Sequence, residues 1–105
     1  MKVVVNNCYG GFKLSEEAYK YIGIPYKKEY GFIFPENSDW LDSYECRTNH
    51  KLIEFIEKFG QDRASGNFSK LKIEEVPSGT LFRIQEYDGS EWIETEDDLK
   101  WWLAT

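Results

Sequence analysis

The sequence has little of the chemistry that defines most metal and cofactor sites. Among its 105 residues are two cysteines and one histidine, and no CxxC pair occurs. Structural zinc normally takes four Cys or His ligands, so Cys8, Cys46 and His50 do not predict a zinc site. The P-loop pattern GxxxxGK[ST] and the dinucleotide pattern GxGxxG are both missing. We therefore expect no metal and no cofactor.

Long apolar runs and an excess of positive charge are missing as well. No segment approaches the ~18 apolar residues of a membrane span, and Met1-Lys2 leads straight into a strand-like segment rather than an apolar leader. We therefore expect no membrane association, and reduced thiols in a cytoplasm. The net charge of −6 argues against direct binding of duplex nucleic acid, which requires a basic face.

What the chain has in abundance is aromatic side chains, at 17% of the residues. Aromatic residues bury large areas, so a short chain rich in them can stabilise a single core. The length predicts one domain over residues 1–105. Because Tyr and Trp are also favoured at protein interfaces, part of this aromatic surface is available for a partner.

The N-terminal half predicts a strand, a helix and a loop. The run Val3-Val4-Val5 indicates a buried strand over Lys2–Asn7. Ser15 is a good N-cap for a helix over Ser15–Ile22. Residues 24–48 are rich in aromatics and interrupted by prolines, so we expect an ordered irregular loop there, with a brief strand over Tyr30–Phe34.

The C-terminal half predicts a helix followed by a sheet. Apolar residues at helical spacing and the caps Thr48-Asn49 indicate a helix over His50–Phe59. Strands are expected over Lys70–Val76, Leu81–Tyr87 and Ser90–Thr95, and a short capped helix follows Thr95. The fold class is α+β, with a twisted, mostly antiparallel sheet of about four strands. Strand 1 is expected to be central, with the two main helices on one face.

Thirteen apolar residues are expected in the core because they lie on the inner faces of these elements. They are Val3, Val5, Ala18, Ile22, Leu52, Phe55, Ile56, Phe59, Leu71, Ile73, Phe82, Ile84 and Ile93.

The double glycine Gly10-Gly11 is the one place that looks shaped for a ligand. Glycine turns leave backbone amides uncovered, and residues 1–30 hold five lysines against three glutamates in an otherwise acidic chain. An anionic ligand is therefore predicted there. The alternative is that the aromatics beside the glycines fill the core and the turn is a folding device. The candidate ligand-binding residues are Asn6, Asn7, Cys8, Tyr9, Gly10, Gly11, Phe12 and Lys13.

Asp88-Gly89 is the strongest hairpin signal in the chain. A two-residue turn there places Ile84 opposite Ile93, and Glu86 opposite Glu91 on the same face beside the turn. Two opposed carboxylates repel each other. They can be hydrated, can act as an acid and a base, or can hold a divalent cation or a basic side chain of a partner.

A nucleophilic site is the alternative at the glycine turn. Cys8 ends strand 1 close to a helix N-terminus, which lowers the pKa of a thiol, and His50 is the one possible base. Nothing in the sequence brings the two together, so we assign no catalytic residue.

Three segments resemble a set of small uncharacterised bacteriophage proteins. These proteins share an N-x-CYGGF-x-LS opening, an A-x-G-x-[FY]-[AS]-KLK-[IV] stretch after a helix, and a closing EEYDG-x-EW segment. The corresponding segments here are NNCYGGFKLSEEA, HKLIEFIEKFGQDRASGNFSKLKIEEVP and IQEYDGSEWIE. The resemblance implies expression in the cytoplasm of a bacterial host, and it brings no catalytic residue. Loop 24–48 and the acidic C-terminus depart from the pattern.

These observations favour a non-enzymatic binding protein that acts in host takeover or counter-defence. One version docks on a basic host protein; the other sequesters a small, nucleotide-like anion at the glycine turn. The alternatives are a small hydrolase or transferase using Cys8 or the Glu86/Glu91 pair, and a structural homo-oligomer. The expected partner surface comprises Trp40, Glu86, Glu91, Trp92, Asp97, Asp98 and Trp101.

Overall fold

The computed structural model describes residues 1–96 and Ala104. The expected C-terminal helix and the expected surface residues Asp97, Asp98 and Trp101 lie outside the described residues. The described strands are β1 (Lys2–Asn6), β2 (Tyr26–Glu29), β3 (Phe32–Pro35), β4 (Leu71–Glu75), β5 (Phe82–Tyr87) and β6 (Ser90–Thr95). The described helices are α1 (Glu16–Ile22), α2 (Tyr44–Arg47), α3 (His50–Phe59) and α4 (Gln61–Ala64). The α+β class is confirmed.

Both main helices begin at the predicted capping residues. The Ser15 hydroxyl accepts from the Ala18 amide at 3.2 Å at the start of α1. The Asn49 side chain accepts from the Leu52 amide at 2.9 Å at the start of α3. Each cap satisfies one of the amides that an α-helix leaves unpaired in its first turn.

The predicted single sheet of about four strands is not confirmed. The described strands pair as three two-stranded antiparallel sheets, β1 with β4, β2 with β3, and β5 with β6. In this part of the chain β1 is therefore paired along one edge only, instead of lying at the centre of a sheet. Side chains from α2 and β6 bond to its other edge, as described below.

The β1–β4 ribbon is covered on both faces. Val4 belongs to the main core, which α1 and α3 also line. Val3 and Val5 point to the opposite face and form a second cluster, against which Ile84 of β5 and Ile93 of β6 pack. The β5–β6 hairpin thus lies against a face of the ribbon and does not extend it edge to edge, which explains the continuous valine run.

Residues 24–48 are more regular than the irregular loop expected there. Strands β2 and β3 form a hairpin around Tyr30 and Gly31, which have φ angles of +52° and +83°. Prolines at both ends of the hairpin obscured it in the sequence. Trp40 and Leu41 are partly buried against the main core, as expected of an ordered segment.

The expected core is confirmed in large part. Seven expected residues are buried: Val3, Val5, Ala18, Leu52, Phe55, Ile56 and Leu71. Five more pack partly buried against the two clusters: Ile22, Ile73, Phe82, Ile84 and Ile93. Phe59 is exposed, so its assignment to the core was wrong. It is the last residue of α3, where its ring lies under the Arg63 guanidinium at 4.8 Å.

Alkaline pH is expected to destabilise this fold through two buried groups. Burial raises the pKa of the Cys46 thiol from 9.0 to about 12, and burial also raises the pKa of the Tyr19 hydroxyl above its ordinary 10.0. Above pH 9 the unfolded chain loses these protons while the folded chain keeps them. The free energy of unfolding should therefore fall as pH rises from 9 towards 12, by at most about 1.4 kcal/mol per pH unit for each group.

Urea denaturation of Tyr19→Phe at pH 7 and at pH 10.5 would check this expectation. The Tyr19 hydroxyl is buried without a hydrogen-bond partner among the described residues, so its removal at pH 7 should be neutral or slightly stabilising. The alkaline decline should be shallower in the variant. An equally steep decline in both proteins would contradict the role of Tyr19.

Candidate functional site

A buried guanidinium lies beside the edge of β1 that faces away from β4. Arg47, the last residue of α2, is 3% exposed, and Glu91 of β6 has a side chain that is 8% exposed. Arg47 Nη1 donates to Glu91 Oε1 at 2.8 Å, and Nη2 donates to Oε2 at 2.6 Å. This is a bidentate ion pair, the strongest geometry that the two groups can form. The guanidinium also bonds Asp42 and lies 4.1 Å from the centre of the Phe12 ring.

This ion pair bonds to β1 where a neighbouring strand would. Arg47 Nη1 donates to the Val4 carbonyl oxygen at 3.1 Å. The Asn6 amide donates to Glu91 Oε1 at 2.8 Å. A neighbouring strand would supply one donor and one acceptor at these positions, so the guanidinium and the carboxylate replace it.

The surroundings keep Arg47 charged. Burial by itself lowers the pKa of the guanidinium, whereas the hydrogen bonds and charges of Glu91 and Asp42 raise it, and the net result is a pKa above its ordinary value. Arg47 is therefore positively charged at any pH that the protein meets.

The Asn6 side chain joins three loops at the same end of the ribbon. Its Nδ2 donates to the carbonyl oxygens of Cys8 and Gly89, each at 2.7 Å. Its Oδ1 accepts from the Lys70 amide at 2.8 Å. Both amide hydrogens are used and the side chain is fully buried, so Asn6 holds the loops and has no donor left for a ligand.

Two glycines permit the close approach of these loops. A Cβ at Gly10 would lie 1.6 Å from the Phe68 carbonyl oxygen, and one at Gly89 would lie 2.5 Å from the Gly11 amide nitrogen. Cys8 Sγ donates to the same Phe68 oxygen at 2.9 Å. Gly10 and Gly89 are thus needed for packing. Of the two aromatic residues beside the double glycine, which the alternative placed in the core, Phe12 is buried and Tyr9 is exposed.

The charge around the glycine turn is negative. Within residues 1–96 no protein acceptor takes the amides of Gly10 and Gly11. However, Gly11 lines a cavity of about 320 Å³ whose charged walls are Asp42, Glu86 and Glu91. The one lysine of the turn, Lys13, donates to the Gly10 carbonyl oxygen. These carboxylates disfavour an anionic ligand in the cavity and favour groups that donate hydrogen bonds.

Each of the three loops carries an aromatic side chain that points into solvent. Tyr9 in the glycine turn is 73% exposed, Phe68 in the loop before β4 is 74% exposed, and Tyr87 at the tip of the β5–β6 hairpin is 68% exposed. We call these three residues the aromatic end. Phe68 also has a φ angle of +63°, a conformation that is strained for a bulky residue.

Only some of the residues expected to form the partner surface are exposed. Trp92 and Glu86 are exposed, and one Glu86 oxygen accepts from the Gly89 amide at 2.9 Å. Glu91 is buried in the ion pair with Arg47. Trp40 is partly buried, with its ring 6.3 Å from that of Tyr19. The hairpin register is as predicted, and Glu91 pairs with a basic side chain of this same chain, Arg47.

The structure separates the residues of the thiol hypothesis. His50 lines a groove with Met1 and Lys2 at the start of β1, whereas Cys8 follows the end of β1. At about 3.3 Å per residue, the intervening strand spans about 20 Å. Cys8 therefore has no histidine base.

None of the described helices is long and apolar enough to cross a membrane. In residues 1–96 and Ala104, no three His, Cys, Asp or Glu side chains are grouped so that they can hold a metal ion.

Comparisons with protein-family models, with curated proteins and with solved structures found no match to this chain. Sequence reasoning missed Arg47, Phe68 and Tyr87. An isolated arginine or an aromatic residue in a loop has no periodicity that marks its role, and only the adjacent Asp88-Gly89 turn indicated that Tyr87 would lie at a hairpin tip.

Removing Arg47 is expected to destabilise the protein strongly. Arg47→Ala leaves the Glu91 carboxylate buried without its partner, which costs about 3–5 kcal/mol of unfolding free energy. The matched control is Arg83→Ala. Arg83 donates to Glu94 at 2.6 Å on the exposed side of the hairpin, and such a pair contributes at most about 1 kcal/mol. Urea denaturation measures the unfolding free energy of both variants. Similar losses of unfolding free energy would contradict the role assigned to Arg47.

Gly10→Ala is expected to cost more than an alanine at a glycine with open space around it. The added methyl group would overlap the Phe68 carbonyl, so the loops must separate, and we expect a loss above about 3 kcal/mol. Gly79 is a suitable control because it has a φ angle of +85° and no neighbour within 4 Å. Gly79→Ala should cost only the backbone strain, about 1–2 kcal/mol. Equal losses would show that the loops have room to move apart.

Proposed function

We propose that this protein is a non-enzymatic binding protein that docks on a basic host protein through the aromatic end. The observation that carries the proposal is the display of Tyr9, Phe68 and Tyr87 on three loops that Asn6 holds together. Aromatic residues are enriched at the energetic centres of protein interfaces.

The rigidity of the loops supports this role. Asn6 bonds all three loops, and the close contacts of Gly10 and Gly89 allow them little freedom to separate. A surface that is already ordered loses little conformational entropy when it binds.

Backbone strain at Phe68 is a second argument. A residue with a φ angle of +63° would lower its energy as glycine, yet the position holds a large exposed phenylalanine. Its side chain does little for the core at that exposure. Strain of this kind is characteristic of functional sites, where it is tolerated for the sake of an interaction.

The charge beside the aromatic end favours a basic partner. Exposed Glu86 and Asp88 lie at the hairpin tip next to Tyr87, whereas Asp42 and Glu91 of the neighbouring cavity are already paired with Arg47. The net charge of −6 adds a long-range attraction for a cationic surface. The resemblance to bacteriophage proteins points to a host protein as that partner, in host takeover or counter-defence.

The test uses a variant that removes the aromatic end and keeps the fold. Phe68→Gly relieves the positive φ angle, and serine replaces the solvent-exposed rings of Tyr9 and Tyr87, so the unfolding free energy should stay within about 1 kcal/mol of the wild-type value. The control is Tyr30→Ser at the tip of the β2–β3 hairpin, where the tyrosine is 99% exposed.

The immobilised full chain and both variants are exposed to a bacterial lysate, and a protein retained by the wild type is purified for calorimetry. We expect the triple variant to bind it at least 30-fold more weakly, as loss of about 2 kcal/mol at an interface centre requires. Tyr30→Ser should bind like the wild type. Equal binding by the triple variant would refute the proposal. Nucleotide binding by the wild type in the same calorimeter would instead assign the glycine turn to an anionic ligand.

A further inference from the structure

The outer edge of β4 carries backbone groups without a partner in the described structure. Alternate residues of a strand direct their amide and carbonyl groups to opposite edges. Val4 and Asn6 of β1 bond outward to Arg47 and Glu91, and they lie opposite Ile73 and Leu71 of β4. Leu71, Ile73 and Glu75 therefore direct their backbone groups away from β1.

Most of these outward groups are unpaired within residues 1–96. The Leu71 amide donates to Ser65 Oγ at 2.9 Å. No residue of this part of the chain bonds the Leu71 carbonyl or either backbone group of Ile73 and Glu75. An open strand edge of this kind is a template for another strand.

We propose that a second copy of this chain pairs with β4 antiparallel, across a two-fold axis at Ile73. In this register the two Ile73 residues exchange a pair of hydrogen bonds. On either side, the Leu71 carbonyl of one copy accepts from the Glu75 amide of the other. The pairing uses four of the five unpaired groups once. The Glu75 carbonyl stays unpaired, because its donor in this register, the Leu71 amide, remains on Ser65. The edge is thus complementary to itself, as a two-fold interface requires.

The side chains are complementary in the same register. Lys72 of each copy lies opposite Glu74 of the other, in a pair without backbone hydrogen bonds, where side chains approach most closely. Within one chain Lys72 Nζ lies 2.7 Å from Glu74 Oε1, so both side chains extend from the same face of the β1–β4 ribbon. At the centre, two β-branched isoleucines face each other, a combination that suits paired strands.

Two other described edges, those of β1 and β2, fit a second copy less well. The outer edge of β1 is occupied by Arg47 and Glu91. A two-fold pairing of β2 can likewise place Lys27 opposite Glu29, but it places Lys28 directly opposite Lys28 of the second copy. That like-charge contact at the centre is unfavourable. Of these three edges, β4 fits a second copy best.

Charge reversal tests the register directly. Glu74→Lys or Lys72→Glu places like charges opposite each other twice across the axis, whereas the double variant Lys72→Glu/Glu74→Lys restores both opposite-charge pairs. Both side chains are solvent-accessible, so the fold should tolerate all three variants. Glu29→Lys in β2 is the matched control, because Glu29 also faces a lysine two residues away.

Sedimentation equilibrium of the full chain should give a dimer of the 12.4 kDa chain for the wild type, for Glu29→Lys and for the double variant. Each single reversal should weaken the dimer about tenfold or more. A monomeric wild type would overturn the proposal, and so would single reversals with undiminished affinity.

Amide hydrogen exchange shows whether a second copy or a segment of the same chain pairs with the outer edge of β4. Pairing with a second copy protects the amides of Ile73 and Glu75 more strongly as protein concentration rises. Protection that is independent of concentration, in a monomer, would overturn the proposal and assign the edge to a segment of the same chain after residue 96.

Discussion

The ion pair between Arg47 and Glu91 determines how the parts of this small domain fit together. It joins α2, β1 and β6, and it satisfies Val4 and Asn6 of β1 where a further strand would otherwise bond. Removing a guanidinium and a carboxylate from water is costly, and this cost is offset only by bidentate geometry and additional hydrogen bonds. Both are present here. The consequence is that the β5–β6 hairpin packs on the ribbon's face and does not become its third strand.

Asn6 links this internal framework to the proposed binding surface. Its backbone amide bonds Glu91, while its side chain bonds the glycine turn, the loop before β4 and the hairpin tip. The same residue therefore ends the central ribbon and holds the three exposed aromatic rings on one scaffold. Phe68 and Gly10 belong to two of these loops. Because the loops are held at van der Waals distance, the backbone is strained at Phe68 and leaves no room for a side chain at Gly10.

The two edges of the ribbon have contrasting properties. Side chains of the same chain occupy the edge of β1, whereas β4 presents unpaired groups in a self-complementary register. Natural strand edges are usually protected by charge, and Lys72 would act in this way against a strand with no acid opposite it. With Glu74 opposite, the same lysine selects a second copy in one register. A dimer formed there would carry two aromatic ends, which gives avidity towards a partner with repeated sites.

Local chemistry explains what the sequence alone determined. The cap Asn49 and the apolar stripe through Leu52 and Ile56 define α3, and Asp88-Gly89 sets the register of β5 with β6, because neighbouring residues decide both. Tertiary structure alone decided that Arg47 faces Glu91, 44 positions away. It also brought carboxylates from distant segments to the glycine turn, where the sequence predicts an anionic ligand. Contacts between such segments follow no period in the sequence, and only the packed chain brings them together.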